Sequence, residues 1–178
     1  MNLKLTDKTA LVSASTKGIG FAIATGLARE GARVIVNGRS EKAVAEAKAQ
    51  IKQTVPDARI ESFAGDLSTA AAAETLLQGF PRVDILVNNL GIFEPKPFEN
   101  ISDADWRHFF EVNVLSGGKP FAEFEAEFFK TIRPSSLLKR FATTEEVANL
   151  VTYVCSPLSV ATNGAALRVD GGVVQACF

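Results

Sequence analysis

Residues 9–20 read Thr9-Ala-Leu-Val-Ser-Ala-Ser-Thr-Lys-Gly-Ile-Gly20. A short apolar run, Ala10 to Val12, leads through small residues into Gly18-Ile19-Gly20. A helical pattern follows, with Ile19, Ala22, Ile23, Gly26 and Leu27 on one face. Strand, glycine turn and helix are the mechanical layout of a dinucleotide site. Glycines let the backbone approach a pyrophosphate, and the helix N-terminus offers free N–H groups and the positive end of a dipole. The competing reading of this segment alone is a tight turn with close helix–sheet packing, since the glycine spacing is not the usual G-x-G-x-x-G. Its weight comes from the residues in register downstream.

Composition sets the bounds. A chain of 178 residues is expected to form one domain, and 47% apolar content is enough for a core. A net charge of −1 and a pI of about 5.9 give no electrostatic case for nucleic acid or an acidic membrane as partner. Cys155 and Cys177 form neither a metal spacing nor a disulfide framework, which fits a reducing, cytoplasmic setting. The start, Met-Asn-Leu-Lys-Leu-Thr-Asp-Lys, lacks the apolar centre of a signal peptide, and no run approaches the ~18 apolar residues of a membrane helix.

Strands and helices alternate along the chain. Gly31 is positioned to end the first helix, and Arg33 to Asn37 reads as a buried strand. Ser40 caps a helix running to about Val55 with Val44, Ala47 and Ile51 inward, stopped by Pro56-Asp57. Arg59 to Phe63 is a third strand, and Ser68 caps a third helix to about Gln78. Val83 to Val87 is a fourth strand, ending in Asn88-Asn89-Leu90-Gly91. After a loop at Glu94 to Pro97, Ser102-Asp-Ala-Asp105 opens a fourth helix through Trp106, Phe109, Phe110 and Asn113. Four such alternations are the pattern of a Rossmann-like, doubly wound parallel sheet flanked by helices, an α/β fold whose ligand crevice lies beyond the carboxyl ends of the strands. Gly18, Arg39, Asp66 and Asn89 each fall just after a predicted strand, and so at one edge of the sheet.

The chain at this point resembles the short-chain dehydrogenase/reductase family. The family's cofactor turn, threonine-glycine-three residues-glycine-any-glycine, is similar to Ser13-Ala14-Ser15-Thr16-Lys17-Gly18-Ile19-Gly20, with serine for threonine and alanine for the first glycine. The family's aspartate after the third strand, which contacts adenine, resembles Asp66-Leu67. Its Asn-Asn-Ala-Gly motif resembles Asn88-Asn89-Leu90-Gly91, its helix-four asparagine Asn113-Val114, and its last strand and turn Val169-Asp170-Gly171-Gly172. The resemblance covers about 5–115 and about 120–173. It implies cofactor contacts at Ser13, Ser15, Lys17, Gly18, Ile19, Gly20, Arg39, Ser40, Asp66, Leu67, Asn89 and Gly91. Asn113 is the one catalytic-set residue in view, implied to hold a water chain to the catalytic lysine. The implied partners are a small carbonyl or alcohol substrate and further copies of the chain, as a homodimer or homotetramer.

Charge selects the cofactor. An acid at the end of the second strand would bind the ribose 2′-OH of NAD. Here the region reads Asn37-Gly38-Arg39-Ser40, and Arg39 and Lys17 are suited to a 2′-phosphate, so NADP is expected over NAD. The alternative is that both are ordinary solvated cations.

The chemistry implied by the resemblance needs a tyrosine with a lysine four residues on, one helical turn apart, where the cation lowers the tyrosine's pKa toward working pH. An upstream serine polarises the carbonyl. The one tyrosine, Tyr153, is followed four residues later by Pro157 and lies in a helix opened by Thr143-Thr-Glu-Glu146, with Val147, Leu150, Val151 and Val154 inward. It reads as structural, and the lone histidine, His108, as a surface or packing residue. Between Asn113-Val-Leu-Ser-Gly-Gly118 and Lys119-Pro-Phe the family carries a fifth strand, the helix with tyrosine and lysine, and a sixth strand. At ~30 residues per strand–helix unit, roughly 60–90 residues are missing there. The last strand, Ala165 to Val169, then lacks its neighbour.

Three accounts compete: a longer chain whose numbering closes over a gap near 115–119, an internal deletion, or a cofactor-binding protein without catalysis. The first is the expectation. Phe121, Phe124, Phe128 and Ile132 fall on one helical face, read either as a packed helix or as an apolar lid over a substrate pocket. The reading as a whole is an NADP(H)-dependent oxidoreductase interconverting a carbonyl and an alcohol, 3-oxoacyl-reductase-like. The alternatives are a catalytically inactive nucleotide-binding protein or scaffold and, more weakly, a flavin- or mononucleotide-binding protein.

Overall fold

Alternation along the strands explains the architecture. In the computed structural model, which describes residues 2–91, 125, 129–130 and 134–172, β1 (Thr9–Val12) and β2 (Arg33–Gly38) carry apolar side chains on both faces. Ala10, Val12, Val34 and Val36 pack with Ile23, Leu27 and Ile51 on one side, while Leu11 and Ile35 meet Leu76 on the other. Each fully buried branched side chain contributes about 1.5–3 kcal/mol by leaving water. Such strands are stable only with helices on both faces. Those helices are α1 (Gly18–Arg29) and α2 (Glu41–Thr54) on the first side and α3 (Ala70–Gly79) on the second. With β3 (Arg59–Ala64) and β4 (Ile85–Val87), the sheet has the order β3-β2-β1-β4, every pair parallel. The expected doubly wound fold is therefore present, with the ends of all four strands at one edge.

The helix boundaries follow local chemistry. Gly31, at φ +85°, ends α1, its N–H donating to the Ala28 carbonyl at 3.0 Å and the next N–H, of Ala32, to Leu27 at 3.1 Å. Ser40 caps α2, with Val44, Ala47 and Ile51 buried as expected. The cap of α3 is Thr69, not Ser68: the Ser68 hydroxyl donates to Asp66 Oδ1 at 2.7 Å, leaving Thr69 Oγ1 to accept from the Ala72 N–H. At the chain's other end, α4 (Thr144–Val154) opens with the expected capping box on Thr143 and Glu146, followed by a 3-10 helix at Pro157–Thr162.

The inward face of α4 agrees with expectation at Val151, which packs against the core, and differs at Val154. Ala148 and Thr152 are buried and Val154 is exposed, because α4 approaches α1 through small residues. A Cβ on Gly26 would stand 2.8 Å from Thr152 Oγ1. Likewise Ile19, at the first turn of α1, is 42% exposed rather than part of the core face. Thr152 Oγ1 is buried and has no hydrogen-bond partner among the described residues. A buried orphan hydroxyl costs free energy that an isosteric methyl does not, so Thr152→Val should stabilise the fold by about 1 kcal/mol. Urea denaturation reads this directly, and a lower midpoint for the variant would contradict it.

Glu146 is held by a fork. Arg140 donates to its two carboxylate oxygens at 2.8 and 2.9 Å, and the Thr143 N–H adds 2.8 Å. The Arg140 hydrogen bonds first, and then the Thr143 N–H, lower its pKa from an ordinary 4.5 to about 2. A depressed carboxyl contributes stability above its unfolded pKa and loses it as pH falls. The α4 cap should therefore hold at pH 5 and weaken progressively between pH 4.5 and 2, and Glu146→Gln should flatten that part of an acid titration followed by helical circular dichroism.

Ala165 to Val169 is not a strand. Ala165 through Arg168 are exposed, and no strand among the described residues pairs with them. The turn after it does form: Gly171, at φ +64°, accepts from the N–H groups of Leu137 and Leu138 at 2.9 and 3.0 Å. The expected helix at Ser102–Asn113, the junction at 115–119, and Phe121, Phe124, Phe128 and Ile132 lie outside the described residues. Nearby Phe129 is buried and meets Phe141 edge to face at 4.9 Å.

Candidate cofactor site

Three side chains stitch the turns at the strand ends. Ser13 Oγ accepts from the N–H groups of Asn89 and Leu90 at 2.8 and 3.0 Å, fastening the end of β4 to that of β1. Ser15, fully buried, donates its hydroxyl to the Val12 carbonyl at 2.7 Å and accepts from the Asn37 N–H at 2.9 Å. Asn89 Nδ2 donates to the Ser13 and Ala14 carbonyls at 3.1 and 3.2 Å. Gly20 lies beneath this seam. A Cβ there would collide with the Asn89 amide and stand 2.6 Å from the Ala14 carbonyl, which is why only glycine fits.

Above the seam is a cavity of about 330 Å³ lined by Ala14, Thr16, Asn37, Gly38, Arg39, Gly65, Asp66, Leu67, Ser68, Leu90 and Gly91. Of the residues anticipated from sequence, Arg39, Asp66, Leu67 and Gly91 meet here. Ser13 and Ser15 sit behind the wall with their hydroxyls committed to backbone, and Ser40 is engaged as the α2 cap. Lys17, Gly18 and Ile19 are exposed at the start of α1, beside the cavity rather than lining it. Asn113 lies outside the described residues.

Asp66 is held below the usual carboxylate range by the Ser68 hydroxyl and N–H, with the positive charge of Arg39 adding to the effect. Arg39 itself is exposed and has no ion-pair partner among the described residues. The N-terminus of α1 has no side-chain cap, and Gly18, at φ +58°, has open space where a Cβ would stand. Uncapped amides, a bare glycine and an adjacent cation suit a phosphorylated dinucleotide. Asn37, Thr16, Gly38, Gly65 and Leu90 were not anticipated as site residues. The signal for Asn37 was its place as the one polar side chain in the run Val34-Ile-Val-Asn37.

A parallel sheet wound on both sides, with a glycine turn feeding an uncapped helix, defines a Rossmann-like dinucleotide fold. Within that class, the family model described as short chain dehydrogenase matches residues 8–128, and one described as Enoyl-(Acyl carrier protein) reductase matches residues 118–174. The chain belongs to the short-chain dehydrogenase family and is an oxidoreductase of that enzyme class. It is 34% identical to the oxidoreductase YvaG of Bacillus subtilis, the match taking in the whole of both chains. That match runs over 264 positions, so for a chain of 178 residues roughly 86 positions have no counterpart. D-beta-hydroxybutyrate dehydrogenase of Cupriavidus necator is 39% identical over 116 residues, 63% of this chain and 44% of that one. L-sorbose reductase from Gluconobacter frateurii, solved with NADPH and L-sorbose, shares the fold at a TM-score of 0.79 and 21% identity, covering 99% of this chain and all of that one. Among the described residues no helix is long and apolar enough to cross a membrane, and no cluster of potential metal ligands occurs.

Proposed function

We propose that the chain is the cofactor-binding part of an NADP(H)-dependent carbonyl–alcohol oxidoreductase, with the proton-transfer residues in a segment absent between Gly118 and Lys119. The observation that carries the cofactor assignment is Arg39 at the cavity wall, in a β2 end that holds no acid. Arg39 would hold the 2′-phosphate with Lys17 nearby, the free amides of α1 would face the pyrophosphate across Gly18 and Gly20, and Asp66 and Leu67 would border the adenine. Ser13 and Ser15 act from behind, fixing the turn, while Asn89 and Gly91 shape its far side. Ser40 orients Arg39 by anchoring α2. Bound NADPH supplies the hydride, and the protein must supply the proton. Asn113 would belong to the relay serving that proton.

A 3-oxoacyl thioester is the substrate class we favour. The match of residues 118–174 to a model described as Enoyl-(Acyl carrier protein) reductase supports the acyl-thioester part of this reading, while the 3-oxo group rests on the carbonyl–alcohol chemistry proposed above. Assembly as a homodimer or homotetramer in the cytoplasm belongs to the same reading. The missing segment is supported by the roughly 86 unmatched positions against YvaG.

Intact mass is the first test. A value near 27 kDa, about two strand–helix units more than the sequence, means hidden residues and a complete enzyme. A value of 19.0 kDa makes the deletion covalent and leaves a nucleotide-binding protein without the family's chemistry. Fluorescence titration with NADPH and NADH then tests the cofactor, and equal affinities would remove the NADP assignment.

A further inference from the structure

Ala14 has a backbone that alanine seldom adopts. Its φ is +48°, in the left-handed region that glycine occupies without penalty. It also lines the cavity, so its conformation sets the wall that a nucleotide would meet. Something must hold it there, since a strained residue persists only where its surroundings over-determine it.

The holder on the N–H side is Asn37. This side chain is 2% exposed, and its Oδ1 accepts from the Ala14 N–H at 3.0 Å. Its Nδ2 donates to the Phe63 and Gly65 carbonyls at 3.2 and 3.0 Å, so both amide protons are used at the end of β3. The Asn37 carbonyl accepts from the Ser15 N–H at 2.8 Å, one residue beyond the strained position. One carboxamide thus ties the turns after β1 and β3 to the end of β2, two residues before Arg39. Asn89 holds only the carbonyl side of Ala14.

We infer that Asn37 is a positioning residue for the dinucleotide pocket: it pins Ala14 in a left-handed conformation that glycine would hold unaided, and so places the β1 turn against Arg39. The inference rests on the cofactor reading above for its effect on binding, but not for its structural coupling. Asn37 touches neither hydride nor substrate and acts through Ala14. Glycine at position 14 makes the strut partly dispensable, which a merely structural role for Asn37 does not entail.

The test uses the full 178-residue chain, with NADPH fluorescence and urea denaturation as readouts. Asn37→Ala should weaken NADPH binding about tenfold or more, the scale of one lost buried hydrogen bond. Ala14→Gly alone gives the reference affinity, and against that reference the loss caused by Asn37→Ala should be about threefold or more smaller than in the parent background. Asn37→Asp keeps an acceptor for the Ala14 N–H and loses both donors, so Ala14→Gly should not rescue it. Rescue of both variants alike, or of neither, overturns the inference. If Asn37→Ala does not accumulate folded, Ala14→Gly should restore folded chain, and failure to do so is equally decisive. Should the parent not bind NADPH, the proposed cofactor fails. The coupling is then read from urea midpoints, where Ala14→Gly must raise Asn37→Ala more than it raises the parent.

Discussion

Arg39→Asp should weaken NADPH binding on the order of 100-fold while leaving NADH within about threefold, reversing the cofactor preference. Charge-assisted hydrogen bonds contribute about 1.5–3 kcal/mol each, and 1.4 kcal/mol is a factor of ten. The guanidinium is solvent-exposed, which puts the loss from removing it at the lower end of that range. The introduced carboxylate then repels the 2′-phosphate at the same position and restores the remainder. For NADH the same carboxylate accepts from the ribose 2′-OH, so the loss of Arg39 is offset. Because the interaction is screened, raising the salt from 0.05 to 0.5 M should narrow the parent's preference and leave the variant's nearly flat. Equal weakening toward both cofactors would mean that Arg39 only shapes the cavity.

A preparation with an intact mass of 19.0 kDa should reduce a small ketone with NADPH no faster than the uncatalysed background. Its one tyrosine, Tyr153, is half-buried on α4 and is followed four residues on by Pro157, so no lysine stands one turn away. A positioned general acid is worth about 10²–10⁴ in rate, and this chain shows no tyrosine–lysine pair to provide it. Inserting the roughly 86 unmatched positions of YvaG between Gly118 and Lys119 should raise turnover by at least that factor. It should also protect the amides of Ala165 to Val169 from hydrogen exchange, because that stretch would then have a parallel strand to pair with. Turnover by the 178-residue form itself would show that the proton comes from elsewhere and would end the missing-segment account.

Local signals carried most of the fold. Ser40 with Val44, Ala47 and Ile51 specified α2, Gly31 specified the end of α1, and Thr143 with Glu146 specified the start of α4, because each acts within one turn of helix. Where two local signals competed, sequence could not rank them. Ser68 and Thr69 are both capable caps, and the choice fell to Thr69 only because Asp66 takes the Ser68 hydroxyl. Non-local contacts were harder still. The inward face of α4 is set by Gly26 on a helix more than a hundred residues earlier, and the strand at Ala165–Val169 depends on a neighbour the pattern cannot supply. Within the site, the residues that meet the cavity stood at strand ends and were legible. Asn37 was not, because a buried carboxamide tying the turns after β1 and β3 looks in sequence like the polar end of a strand.

The strand order has a consequence for the making of the chain. β1 leaves the ribosome before the other strands of the sheet, yet in the finished sheet it is flanked on both sides, by β2 and by β4. Its second flank arrives only with Ile85–Val87, and the Thr9 N–H finds its acceptor on Asp84, 75 residues later. During that interval the nascent chain carries the apolar edge of Ala10 to Val12 uncovered. Loop closure over that span is slow compared with local helix formation, so it is synthesis of the stretch up to Val87, rather than of β1 itself, that ends the window for mispairing.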